Sequence, residues 1–161
     1  GIPFGWAKPV PVNYHQLRNP RRDAALVALA GPVSNLILAL VSMACLIVVM
    51  PSGIGGVYGA LQGQGPSLLV QFLVQFFSAS MIVNLGLMAF NLLPIAPLDG
   101  SRVLYAFVPL RYEEEYLNYM RYGMHVLLII LIIDGFLRIP ILSVWFNLIT
   151  APFFLLFQSL L

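Results

Sequence analysis

From Ala24 to Met50 the chain carries no charged residue. A helix over that stretch is about 40 Å long, at 1.5 Å per residue, and exceeds the ~30 Å hydrocarbon core of a bilayer. A second uncharged stretch runs from Ser67 to Leu93. Shorter apolar runs follow, from about Tyr116 to Ile133 and from Ile141 to Leu161. Runs of this length exclude an ordinary soluble fold, whose exterior must be wetted. Composition agrees, with 60% hydrophobic and 9% charged residues against roughly 25% charged in soluble domains. The expected fold is therefore an all-α polytopic membrane protein. It is a bundle of three to four spanning helices over 24–50, 67–93, 116–133 and 141–161, forming a single membrane domain over 1–161. The third run spans only if it starts near Tyr116.

The remaining segments read as connections. Pro3, Pro9, Pro11 and Pro20 forbid a continuous helix over 1–23 and predict a short extended N-terminal segment. Val10 and Val12 between those prolines suit either an edge strand that pairs with an extended substrate or a stiff connector. The glycine-rich, uncharged stretch 51–66 reads as a short loop. Segment 101–115 is mixed and reads as interfacial. Lys8, Arg18, Arg21 and Arg22 in the N-terminal segment, and Arg102, Arg111 and Arg121 after the second span, place both on the cytoplasmic side. A net charge of +2 gives no reason to expect a nucleic-acid partner. Cys45 sits in an apolar run and reads as a small buried hydrophobe. Glu113 to Glu115 read as a solvated helix face, and Asp134 with Arg138 as a salt bridge at a turn.

Two features inside the apolar zone need a physical account. On the first helix Ala24, Ala28, Gly31, Asn35, Ala39 and Ser42 recur every three or four residues. Such a small-residue stripe lets backbones approach closely in lipid. Pro32 is expected to bend that helix. At the end of the second helix, Asn91, Pro94, Pro97, Asp99 and Gly100 describe a proline-broken helix over Asn91–Asp99. A carboxylate at membrane depth costs roughly 2.5–3.5 kcal/mol on insertion scales, so Asp99 needs a compensating partner. It either caps the helix that follows or faces a cavity that the broken backbone lines.

These residues carry a resemblance. The run Asn91-Leu92-Leu93-Pro94-Ile95-Ala96-Pro97-Leu98-Asp99-Gly100 is similar to the signature of the site-2 protease family of intramembrane zinc metalloproteases. Ala30-Gly31-Pro32-Val33-Ser34-Asn35 resembles a second helical motif of that family. The run from Phe4 to Asn13 resembles a segment of its bacterial and archaeal branch. The resemblance covers roughly residues 4 to 104 in the family order. It implies zinc as cofactor, held by two histidines of an HExxH helix and by Asp99. It also implies a water acidified by the metal and deprotonated by the HExxH glutamate. Asn91 would then support the substrate or the developing oxyanion, whereas the residue alone is equally explained by an interhelical hydrogen bond. The implied substrate is another membrane protein, cut in or near a spanning helix.

The sequence contains no HExxH. Its histidines, His15 and His125, lie far apart, and neither reads as a zinc ligand. The expectation is a portion of such an enzyme whose HExxH helix lies upstream of Gly1. Two alternatives stay open: a non-catalytic relative acting as a membrane scaffold, and a carrier subunit using Asp99 for ion coupling.

Overall fold

The computed structural model describes residues 19–50 and 53–160. The extended N-terminal segment, His15 and the Phe4–Asn13 resemblance fall outside them. Every regular element described is helical: α1 (Pro20–Val49), α2 (Ile54–Leu61), α3 (Leu68–Asn91), α4 (Asp99–Tyr105), α5 (Glu113–Phe136), entered through a 3-10 turn at Leu110–Tyr112, and α6 (Ile141–Leu160). Four helices, α1, α3, α5 with its entry turn, and α6, are long and apolar enough to cross a membrane. Their outward faces carry large apolar side chains such as Leu26, Val41, Phe76 and Ile132. That inside-out distribution is what lipid, rather than water, accepts as a neighbour. The protein is an all-α integral membrane protein.

The helix α1 packs chiefly on α3 and α4. Ala28, Ala39 and Ser42 of the small-residue stripe are buried, with Leu46 fully enclosed. Close approach lets one polar link form between the spans. The Ser42 and Ser80 hydroxyls lie 2.8 Å apart, and the Asn84 amide donates to the Ser80 carbonyl at 2.8 Å. The hydroxyl pair joins the two spans, whereas the Asn84 bond stays within α3. An interhelical contact of this kind contributes about 0.6 kcal/mol in membrane bundles and acts mainly by fixing rotation and depth of one span against the other.

The glycine-rich stretch expected to be a loop contains the helix α2. Val57 and Ala60 are buried, and α2 packs on α3. Its glycines lower helix propensity, but burial of those side chains outweighs that cost. The helix ends on Gly63, at φ +80°. Gly63 N–H donates to Ala60 O at 3.1 Å and Gln64 N–H to Gly59 O at 2.8 Å. This pair of bonds is the Schellman closure, which needs a left-handed residue at that position. Ser67 then caps α3 by accepting from Val70 N–H at 3.3 Å.

Near the far end, Asp134 does not pair with Arg138 as expected. Its carboxylate accepts from Leu142 N–H at 3.1 Å, which satisfies a free donor of the first turn of α6. Arg138 is exposed and occupies the left-handed region at φ 54°. Of the glutamates read as a solvated face, Glu114 and Glu115 are exposed, but Glu113 is half-buried and accepts from the Tyr105 hydroxyl.

Candidate metal centre

The site is built on the break between α3 and α4. Proline has no N–H, so Pro94 and Pro97 cannot continue the helical ladder. The last turn of α3 tightens: Leu92 N–H still reaches Met88 O at 3.0 Å, but Leu93 N–H bonds Phe90 O at 3.1 Å. Ala89 O thereby loses its usual helical donor. The Trp145 indole N–H of α6 supplies one at 2.8 Å. A turn follows, with Leu98 N–H on Ile95 O at 2.9 Å and a cis Ala96–Pro97 peptide. The Tyr119 hydroxyl of α5 donates to Pro94 O at 2.9 Å, and that of Tyr116 to Ser101 O at 2.7 Å. Irregular backbone at this depth persists only when its carbonyls are satisfied by protein. The three ring donors do that for Ala89, Pro94 and Ser101.

Glycine makes the geometry close-packed. A Cβ on Gly100 would stand 2.2 Å from Leu92 O and 2.4 Å from Leu93 O. The start of α4 is therefore folded directly back on the end of α3. A Cβ on Gly123 would meet the Ala96 Cβ at 2.4 Å, so α5 lies flush on the loop. Arg21 closes the other side. Its guanidinium donates to Tyr105 O at 3.0 Å and Val108 O at 2.7 Å, and stacks over the Tyr105 ring at 4.5 Å. These bonds tie the N-terminal end of α1 to the backbone at and just past the end of α4, where Val108 N–H also reaches Tyr105 O at 3.2 Å.

Asp99 opens α4 and is half-buried. It does not cap that helix. The capping position is Leu98, and no side-chain cap bond is made. The carboxylate instead turns onto α1, where a Cβ on Gly31 would stand 3.2 Å from its Oδ2. The fold thus brings together Gly31 and Asp99, which are far apart in sequence. Pro32 is buried beside them, and Asn35 is half-buried one turn further along α1. Asn91 closes α3 and is half-buried at the edge of the break, and Pro97 is exposed there. A bound cation would favour the ionised form of this carboxylate, which burial disfavours.

As a metal site the arrangement is incomplete. Asp99 offers a carboxylate free of a capping role, which suits one oxygen ligand of zinc. Among the described residues, however, no three His, Cys, Asp or Glu side chains group to hold a metal ion. His125 is exposed on α5. Arg21 was legible only as part of a basic cluster, and the supporting roles of Tyr116, Tyr119, Gly123 and Trp145 did not stand out in the sequence. One signal was present: Tyr116, Tyr119 and Gly123 recur at three- and four-residue spacing and so share one helix face.

Substituting Ala at Gly31 tests how tightly the seam sets the carboxylate. The added methyl needs a displacement of a few tenths of an ångström at Asp99. The expected result is a fold intact by circular dichroism and, where Asp99 serves as the ligand that the resemblance implies, metal affinity lowered about tenfold, as for a misplaced ligand. Unchanged affinity in a zinc titration would mean that α1 does not position Asp99.

The fold and site together define a polytopic membrane protein with an acidic side chain held between two helices at a proline break. The sequence matches the family model for Peptidase family M50 over residues 5–133. It is also 36% identical over 163 aligned residues to a Bacillus subtilis (strain 168) protein named "Putative zinc metalloprotease YwhC". That alignment covers 98% of this chain and 69% of the relative. The chain belongs to Peptidase family M50, the site-2 protease family. No solved structure matches it.

Proposed function

We propose that this chain carries one wall of the active site of an intramembrane zinc metalloprotease that hydrolyses peptide bonds in or near transmembrane helices. The observation that carries this reading is the position of Asp99, turned away from any capping role and packed against Gly31 at the break in the membrane helix. Family membership and the zinc metalloprotease name of the relative support the same chemistry.

In this reading Asp99 is one zinc ligand. The histidine pair and the general base that the resemblance implies are not among the 161 residues, and in this reading a segment outside them would supply both. Zinc, when bound, supplies a Lewis acid that polarises a peptide carbonyl and acidifies water. This chain's residues hold the geometry. Gly31 admits the carboxylate, Gly100 allows α4 to begin against α3, and Tyr116 and Tyr119 keep the broken backbone satisfied. Asn91 is the amide available to a substrate carbonyl. A spanning substrate helix must partly unwind to reach the site, because its backbone groups are bonded internally. The basic residues of 1–23 and 101–122 set the N-terminal segment and 101–115 on the cytoplasmic face of a bacterial or archaeal membrane.

The second reading is a non-catalytic relative that keeps the scaffold. Reconstitution of the protein as its gene encodes it, with a reporter carrying a single transmembrane helix, separates the two. The protease reading expects cleavage that a zinc chelator abolishes and added zinc restores. Intact reporter, with no zinc retained by the purified protein, would leave the scaffold reading.

A further inference from the structure

Three cavities lie end to end along one side of α1. The first, about 410 Å³, opens at the N-terminal end of the helix and is lined by Arg21, Arg22 and Ala106. The second, about 420 Å³, shares Arg22 and Ala106 with it and continues between α1 and α4 past Leu26, Leu29 and Phe107. The third, about 110 Å³, shares Leu29 and passes Val33 and Leu36 to reach Met88 of α3. On α1 the lining positions 22, 26, 29, 33 and 36 alternate four- and three-residue steps, so they form one stripe. From Arg22 to Leu36 that stripe is about 21 Å long at 1.5 Å per residue. One leaflet's share of the hydrocarbon core is about 15 Å. The groove is therefore deep enough to cross one leaflet.

Its chemistry changes along its length as a phospholipid's does. The mouth holds two arginines, and below Arg22 the α1 lining is wholly apolar. Arg21 is held in place by its bonds to Tyr105 O and Val108 O. Arg22 is exposed. The nearby carboxylate of Asp23 is engaged by Asn19 N–H at 3.1 Å. Phe107, beside the groove, is 79% exposed.

We propose that this seam binds one anionic phospholipid, its phosphate at Arg22 and Arg21 and one acyl chain lying between α1 and α4. The charge at the mouth selects an anionic headgroup over a zwitterionic one, since basic residues at the membrane surface attract anionic lipid. The proposal goes beyond the protease reading and does not depend on zinc or cleavage. It has a structural consequence, because α4 begins with Asp99: a lipid chain wedged in the α1–α4 seam bears on where that carboxylate rests.

Native mass spectrometry of the purified protein tests this with phosphatidylglycerol and phosphatidylcholine of identical acyl chains. The expected result is roughly tenfold tighter retention of phosphatidylglycerol. R22Q lowers that preference roughly fivefold. A106W, which fills the groove without changing charge, lowers retention of both lipids. Equal retention of the two lipids, or an unchanged preference in R22Q with circular dichroism like the wild type, overturns the proposal. So does inorganic phosphate alone bound as tightly as the lipid, which would make the mouth a site for soluble anions. In a Cys45→Ala background, V33C is expected to be protected from a thiol reagent by added phosphatidylglycerol. Protection in lipid-free protein would mean that a protein segment fills the groove, and would also overturn it.

Discussion

Asp99→Asn is expected to strip zinc from the purified protein and to lower reporter cleavage by at least roughly 100-fold, because even residues that only orient a ligand cost 10- to 100-fold. The substitution keeps shape and removes charge, so it isolates what the carboxylate does as a ligand. Folding is expected to change by less than about 1 kcal/mol, since a half-buried charge that caps nothing is replaced by a neutral amide. The paired measurement is metal content by elemental analysis alongside thermal unfolding. Asp99→Glu serves as the control for reach: it restores the charge but drives the longer side chain into Gly31, so it is expected to recover part of the zinc and little of the cleavage. Stoichiometric zinc and full cleavage in Asp99→Asn would remove the carboxylate from the metal and leave only a shared scaffold.

The second large effect is on stability. Gly100→Ala places a methyl 2.2 Å from Leu92 O, 2.4 Å from Leu92 C and 2.4 Å from Leu93 O. All three are backbone atoms, which cannot swing aside as a side-chain tip can. The expected loss is about 3 kcal/mol, at the upper end of ordinary overpacking. Because the only relief is to lift α4 off α3, Asp99 moves with it, and zinc affinity is expected to fall together with stability. Gly86→Ala is the matched control. That glycine lies inside α3 with nothing within 4 Å of an added Cβ, so alanine there is expected to stabilise by about 0.5–1 kcal/mol. Denaturant titration followed by circular dichroism compares the two. Equal unfolding midpoints for the two variants would mean that the α3–α4 contact is loose and that Gly100 has no packing role.

Gly100 and Gly31 also separate what was legible in the chain from what was not. Their motifs were readable, and the resemblance they carried led to the family that the sequence comparisons establish. Nothing in either motif indicated that the two meet, with α4 pressed on the end of α3 and the carboxylate of Asp99 on α1. The capping role open to Asp99 in the sequence was decided by three-dimensional placement: Leu98 holds the cap position, and α1 lies close enough to take the side chain. The α2 helix was hidden for a related reason. Local glycine content argues for a loop, whereas the burial of Val57 and Ala60 against α3 is a tertiary gain with no local signature.

Long uncharged runs determined by themselves that this chain folds as helices in a bilayer, because a helix satisfies its hydrogen bonds within one continuous apolar segment, whereas the other solution, a closed barrel, needs strands of alternating polarity. The proline pair at 94 and 97 likewise marked where α3 stops, because two N–H groups are missing within four residues, whereas the single prolines Pro32 and Pro152 lie inside α1 and α6. Only the tertiary structure decided which groups make that stop tolerable. The hydroxyls of Tyr116 and Tyr119 and the indole of Trp145 arrive from other helices, and their partners depend on the packing of α5 and α6. Local chemistry is written residue by residue, but a satisfied carbonyl or a seated carboxylate depends on what lies across the gap.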